Sequence, residues 1–471
     1  MEVFLSTLKA IIDNLGATVA LPIIIFLFAV ALGAPPGRAF RAGITIGIAF
    51  IGINLVIGLM WNTLSEVAQA MVRNTGIQRD VVDVGWPSAA AIAFGSPVGL
   101  WVIPLTLLVN IVMLALRWTK TLDIDIWNYW HFAFIGSLVV VVTGNLALGL
   151  LAAAIAAALA LFLADWTAPA VQRFYNLPGI SIPHLTTAPG VPMAIVVNGV
   201  IDRIPGLRDV QADPEAIRRR LGIAGEPVIL GLIIGLILGI LGFYNAGDVQ
   251  TVVVKVLKTA MNLAAVMLLL PRMVQILMEG LIPISEAARD FMQRRAAGRE
   301  IYIGLDSAIL IGHPAAISTA LVLVPVAILL SAILPGNRVI LFADLAVIPF
   351  VVAMFAPLMR GNIFRMIIAG ALTLAVGFYI ASSMADLFTQ AALLAKFEMP
   401  PGAVRITSIA DGFLWPPFVF VIAVRLAGVV GLLVLAALLA VALFLYMRNP
   451  RAWEAAAGAA GARPGPRPFR F

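Results

Sequence analysis

The chain has 471 residues, 62% of them hydrophobic and 12% charged, with a net charge of +7 and no cysteine. Soluble domains carry about 25% charged residues, so a mean hydropathy of +1.04 leaves too little polar surface for a water-soluble globule of this length. The missing cysteines exclude disulfides, thiolate metal sites and a cysteine nucleophile.

Residues 1–14 read as a short amphipathic surface helix, and with Lys9 as the only basic residue and Asp13 close by they do not resemble a cleaved signal peptide. Apolar blocks long enough to cross a bilayer follow at about 17–34, 42–60, 98–116, 131–165, 227–243, 252–270, 318–334, 340–358, 364–382 and 416–446. The block 131–165 is one long span or two short ones broken at Gly144-Asn145. Gly231, Gly235 and Gly239, and the pair Gly43 and Gly47, have the spacing that lets helices approach closely in lipid, and packing is the plain reading of both.

The basic residues lie between these blocks. Loop 201–226 holds Arg203, Arg208, Arg218, Arg219 and Arg220; loop 272–300 holds Arg272, Arg289, Arg294, Arg295 and Arg299; the C-terminal tail holds Arg448, Arg451, Arg463, Arg467 and Arg470. The span count between them puts all three on one side, and the positive-inside rule makes it the cytoplasmic side. No nucleic-acid-binding motif occurs. The tail, rich in Ala, Gly, Pro and Arg, reads as disordered.

Four stretches are too broken to be ordinary spans: Val81 to Ser96, Gly179 to Val197, Gly304 to Ser318 and Thr407 to Phe418. Broken backbone at membrane depth persists only inside protein or along a wet cavity, and transporters build binding sites there. The order of spans and broken segments in residues 15–200 recurs in 227–425. The expected fold is therefore an all-α polytopic membrane protein with about 10–11 transmembrane helices in two inverted repeats, each with re-entrant hairpins. Its parts are residues 1–200, a cytoplasmic loop 201–226, a second repeat 227–446 containing a cytoplasmic amphipathic segment 272–300, and a disordered tail 447–471.

The chain has three histidines, His131, His184 and His313; the first opens a span and the others sit in broken segments. A buried imidazole needs a hydrogen-bond partner and can bind a hydroxyl, although it can equally be a satisfied packing residue. Asp306 could accept hydrogen bonds from a polyol or act as a base, or could simply cap the helix that follows. Glu226, ahead of Pro227, is an ordinary helix-start arrangement or a gating group, and Asp83 and Asp344 invite the same two readings. Trp86, Trp127, Tyr129 and Trp130 could pack on the C–H faces of a polyol or serve as interface anchors. No HExxH, P-loop, GxSxG or His-X-X-His pattern occurs, so neither a metal nor another cofactor is expected.

Several islands together resemble the galactitol-type membrane component (IIC) of the phosphotransferase system. They are Val82-Asp83-Val84-Gly85-Trp86-Pro87, Asp125 to His131, Ile182-Pro183-His184, Gly225-Glu226-Pro227-Val228, Ile303-Gly304-Leu305-Asp306 with Gly312-His313, Pro335-Gly336-Asn337 with Asp344-Leu345, and Arg360 to Arg365. They fall in family order from about residue 1 to 380. Two departures stand out: Leu185-Thr186-Thr187 replaces an expected Gly-Thr-Ser, and the last 70 residues or so match poorly. The resemblance implies the fold of the ascorbate and galactitol IIC superfamily, a homodimer of about eleven spans that moves substrate by an elevator-like shift of a core domain. It also implies separate soluble partners, a IIA carrying phosphohistidine and a IIB carrying phosphocysteine. By matching positions it puts His131, His184, Thr186 and Asp306 at the substrate, with Gly85 and Trp86 lining the pocket and His313, Glu226 and Asp83 as further candidates. The function implied is import of galactitol or a related polyol across the bacterial inner membrane with concomitant phosphorylation. A proton-coupled or uncoupled transporter of the same fold, or a membrane enzyme, are the alternatives.

Overall fold

The computed structural model describes residues 33–76, 79–221, 226–295, 300–341, 343–400 and 403–459, together with scattered residues between 19 and 31. The expected surface helix at 1–14 lies outside the described residues, and the span at 17–34 lies partly outside them. The described residues are mostly helical. Among the described residues six helices are long and apolar enough to cross a membrane: α1 (Pro36–Thr75), α5 (Leu146–Tyr175), α9 (Val249–Arg295), α11 (Pro314–Ile333), α14 (Ile363–Leu394) and α16 (Trp415–Arg448). Shorter apolar helices accompany them: α3 (Val102–Ala115), α4 (Trp130–Thr143), α6 (Gly190–Ile201) and α8 (Pro227–Phe243), the last preceded by the polar helix α7 (Pro214–Leu221). The all-α polytopic expectation is met.

Local chemistry explains the breaks. Gly144 adopts φ +65° and Asn145 accepts from Ala147 N–H and Leu148 N–H, so the block 131–165 splits into α4 and α5. The fourteen residues of α4 span about 21 Å, short of a hydrocarbon core about 30 Å thick. The two helices pack closely, because a Cβ at Gly136 would lie 2.6 Å from the Gly149 carbonyl oxygen. Gly231, Gly235 and Gly239 of α8 do the same against α9: a Cβ at Gly235 would lie 2.6 Å from Ala260 Cα. The packing reading of that stripe is correct. Helices α1, α8 and α9 pack chiefly on one another and form a helical group of their own.

One expectation is corrected here. The block 340–358 is not a continuous span; it starts at the end of a two-residue strand (Val339–Ile340) and continues through a 3-10 turn (Leu345–Val347) and two short helices, α12 (Ile348–Ala353) and α13 (Phe355–Leu358). Pro349 and Pro357 cannot donate backbone hydrogen bonds, and the buried Asp344 ahead of them accepts from Trp86 N–H and Ile409 N–H at the starts of two other helices. Helix α9 runs unbroken through Pro271 and Pro283 to Arg295, so the basic segment that begins at 272 continues the span before it as helix up to that residue. At the start of the segment expected to be disordered, a short helix α17 (Pro450–Ala456) docks on α5: Trp453 lies edge-on to Trp166 at 5.3 Å, and Trp166 Nε1 donates to its carbonyl. The tail beyond 459 lies outside the described residues.

The described residues include six strands of two or three residues: β1 (Val81–Asp83), β2 (Thr121–Asp123), β3 (Ile180–Ser181), β4 (Tyr302–Gly304), β5 (Val339–Ile340) and β6 (Arg405–Thr407). They form two parallel three-stranded sheets, in orders β5-β1-β6 and β2-β4-β3. Advancing every strand of the second sheet by three places in the chain reproduces the first. Each half of the chain thus lends its first strand as the central strand between the other half's second and third.

Sheet edges cannot be left bare at membrane depth, and here flanking side chains close them. Asn110 donates to Thr121 O and accepts from Asp123 N–H on β2; Gln172 donates to Ile180 O on β3. Asn337 and Ser331 both donate to Val339 O on β5, and Thr389 accepts from Ile406 N–H on β6. The strands then pass into short helical segments: β1 into α2 (Trp86–Gly95), β2 into a 3-10 turn (Ile126–Tyr129) and α4, β4 into α10 (Ala308–Ile311), and β6 into α15 (Ile409–Gly412). Strand β3 enters a turn that ends at α6. These junctions are the four broken stretches of the sequence together with the junctions after β2 and β5.

Candidate functional site

Four strand-to-helix junctions bring their side chains together in one buried cluster. His131 comes from the first turn of α4, His184 and Thr186 from the turn after β3, Asp306 from the junction of β4 and α10, and Asp411 from α15. His131 Nδ1 is 3.0 Å from Asp411 Oδ2, and its Nε2 is 3.3 Å from the Thr186 hydroxyl. The Thr186 hydroxyl is also 3.4 Å from the Ala410 carbonyl, while the Thr186 N–H donates to His184 Nδ1 at 3.3 Å. A ring nitrogen that accepts carries no proton in a neutral imidazole, so His184 bears its proton on Nε2. That nitrogen faces Asp306 Oδ1 at 3.7 Å.

The cluster is closed except at one point. His131 is 1% exposed, Thr186 4%, His184 5% and Asp411 0%, whereas the Asp306 side chain is a quarter exposed. Asp306 is thus the group of this set reached from outside. Its Oδ1 accepts from Ala308 N–H at 2.8 Å, so it caps α10 as well as facing His184. The histidine rings meet edge to face at 4.9 Å, and Trp130 stacks on His131 at 3.9 Å. The ring of Phe350 lies 6.2 Å from that of His184. Below them, Asn128 Nδ2 donates to Asp125 Oδ2 at 2.6 Å and the Tyr129 hydroxyl to the Asp123 carbonyl, which holds the start of α4 and with it His131.

A second carboxylate network ties the other junctions. Asp344 accepts from Trp86 N–H through Oδ1 and from the Ser408 hydroxyl and Ile409 N–H through Oδ2. Its own N–H donates to Asp83 Oδ2, and Asp83 Oδ1 accepts from Gly85 N–H. One carboxylate therefore anchors the starts of α2 and α15 together.

Of the residues expected in a site, the structure groups His131, His184, Thr186 and Asp306. Gly85, Trp86 and Asp83 fall in the second network: Gly85, at φ +81°, has room for no side chain against the Trp61 ring, and the Trp86 N–H is bound to Asp344. His313 stands apart, capping α11 through Nδ1 and packed on Phe174 at 4.7 Å. Glu226 is exposed at the start of α8 and makes no side-chain cap. Asp411, Asp125 and Ser408 join these networks without standing out in the sequence as site residues. Asp411 lies in one of the broken stretches, and an acid there is the available signal. Among the described residues no group of three or more His, Asp or Glu side chains could hold a metal ion.

Comparison with known proteins adds an independent line. The family model of the PTS system sugar-specific permease component, EIIC-GAT, matches residues 10–402. The galactitol-specific EIIC component of the PTS system of Escherichia coli K12 is 42% identical over 389 residues, 83% of this chain and 84% of that protein. The protein of the same description from Escherichia coli O157:H7 matches equally well. A further Escherichia coli K12 protein, described as a permease IIC component without a named substrate, is 37% identical over 442 residues, 93% of this chain and 98% of its own. That match extends well past residue 402, into the part that the sequence islands left uncovered.

Proposed function

The chain belongs to the EIIC-GAT family of phosphotransferase-system sugar permease components, and we propose that it imports galactitol, or a closely related polyol, and presents it for phosphorylation. The observation that carries the reading is the convergence of His131, His184, Thr186 and Asp306 from separate junctions into one buried cluster with Asp306 at its open side. A polyol offers hydroxyls that both donate and accept. The cluster meets them with imidazole N–H donors, a carboxylate acceptor and a hydroxyl that does either.

In this reading Asp306 orients the hydroxyl that will be phosphorylated. The hydroxyl oxygen attacks phosphorus on the phosphocysteine of a separate IIB chain. The S–P bond breaks, an O–P bond forms, and the hydroxyl proton passes to Asp306. The chain has no cysteine and cannot supply that donor itself. A soluble IIA with a phosphohistidine recharges IIB. The basic loops support a donor side and a C-terminus in the cytoplasm of a bacterial inner-membrane protein. Assembly is as a homodimer, with the site-bearing body sliding against the α1, α8 and α9 group.

The test uses inverted vesicles containing the protein and labelled galactitol. Sugar phosphate that forms only with IIA, IIB and their phosphoryl donor supports the reading. Saturable counterflow of galactitol with no phosphate formed overturns it in favour of an uncoupled or proton-coupled transporter. Asp306→Asn is expected to abolish phosphate formation, and normal import with normal phosphorylation would remove Asp306 from this role.

A further inference from the structure

Asp411 is fully buried, and only one of its two carboxylate oxygens has a hydrogen-bond partner: Oδ2 meets His131 Nδ1, whereas Oδ1 meets none. Among the described residues no Arg or Lys pairs with it. The charged or titratable groups around the pair are His184, edge to face with the His131 ring, and, beyond His184, Asp306. Neither is a cation that would offset a charge on Asp411.

Two proton counts fit the 3.0 Å contact. With one proton, Asp411 is an anion accepting from Nδ1–H, and Nε2 is bare. This leaves an uncompensated charge, with one oxygen naked, inside the protein, which is the costliest way to bury a carboxylate. With two protons the pair is neutral. One proton lies between Oδ2 and Nδ1, and the other is on Nε2. The surroundings then close without a gap: Nε2–H donates to the Thr186 oxygen, and the Thr186 hydroxyl donates to the Ala410 carbonyl. The unpaired Oδ1 becomes an unsatisfied neutral acceptor, a smaller cost than a naked charge.

We infer that Asp411 is a positioning residue, which shares a second proton with His131 and so keeps His131 Nε2–H as a donor pointed at the substrate-facing side of the cluster. The inference rests on the reading that the cluster binds a polyol. His131 and His184 then present matched N–H donors from the two ends of Thr186, with Asp306 as the acceptor. A polyol hydroxyl that replaces the Thr186 oxygen as acceptor for Nε2–H would cost no rearrangement of protons. The residue acts through His131 and touches no substrate itself.

The full-length protein labelled with 15N-histidine tests this directly, because the chain has three histidines and one variant, His131→Asn, assigns the signals. In the wild type, His131 is expected with Nε2 protonated and Nδ1 in the shift range of a hydrogen-bond acceptor or of a fully protonated ring. A bare Nε2 with the proton on Nδ1 alone overturns the inference, without any Asp411 variant having to fold. Galactitol affinity supplies the second reading. Asp411→Asn, whose amide can donate to Nδ1 as the shared proton does, is expected to bind at least tenfold more tightly than Asp411→Leu, a difference of about 1.4 kcal/mol. In a His131→Asn background that difference should vanish. Equal weakness of the two Asp411 variants, or a difference that persists without His131, overturns the positioning role. If His131→Asn alone leaves galactitol affinity unchanged, the polyol reading of the cluster fails, while the nitrogen shifts still decide where the proton lies.

Discussion

A single buried histidine is most often a packing residue that has found one hydrogen-bond partner. His313 fits that description, with its Nδ1 on a helix N-terminus and aromatic rings around it. His131 and His184 differ because their rings meet in one cluster: His131 bridges Asp411 and Thr186, and His184 turns Nε2 toward the part-exposed Asp306. His184→Ala is expected to weaken galactitol binding by roughly tenfold or more, since removing it strips Asp306 of its neighbour and a hydroxyl of its donor. An unchanged dissociation constant would take His184 out of the site. His313→Gln should leave affinity within about threefold, a change of under 1 kcal/mol, and any cost it has should appear in thermal stability instead. The three histidines and Asp306 could be picked from sequence because each is a polar residue inside an apolar or broken stretch. Asp411 met the same criterion but gained its meaning only from a partner 280 positions away.

At the scale of elements, the long apolar blocks were readable because about twenty apolar residues have few other uses. Gly144-Asn145 announced its break in advance, as Gly supplies a left-handed φ and Asn caps the next helix. The strands were not readable. Two or three residues carry no period, and their pairing is with segments more than a hundred residues away. The block 340–358 misled for the same reason: its residues are as apolar as a span's because they are buried on all sides. Asp344 is the element-scale keystone. Asp344→Ala would leave Trp86 N–H, Ile409 N–H and the Ser408 hydroxyl unpaired in the interior, at a cost of about 3–5 kcal/mol. The expected outcome is a protein that melts well below the wild type in detergent, with Asp344→Asn falling between them. Equal melting temperatures would mean that the junctions hold without it. Gly235→Leu should also destabilise, by about 1–3 kcal/mol, because its Cβ has nowhere to go against Ala260.

At the scale of the molecule, α1, α8 and α9 keep mostly to themselves while the junctions and their flanking helices form the body that carries the cluster. The absence of cysteine makes relative motion of the two accessible to cross-linking without background. Val67 and Gly242 both belong to the helical group and are in contact. A disulfide between cysteines placed there should leave uptake intact. The tip of the Trp61 ring on α1 and Ala343 on the site-bearing body both lie against Gly85. Cysteines at 61 and 343, joined by a bifunctional thiol reagent that spans the space of the indole ring, should stop uptake if the body slides, and uptake that survives quantitative cross-linking would argue for a fixed arrangement.

The exchange of central strands has a consequence for how the chain is made. When β1 leaves the ribosome, neither of its neighbours exists; β5 and β6 follow more than 250 residues later. The first half must therefore wait, inserted but with an unmated strand and its buried carboxylate, until the second half arrives. Contacts so distant in sequence slow folding and prolong vulnerability to proteases and to wrong partners. The two halves also cannot be separated as independent products. Expressed alone, residues 1–226 and 227–471 should each be degraded. Made together in one cell, they should rescue each other, because each brings the strand that the other lacks.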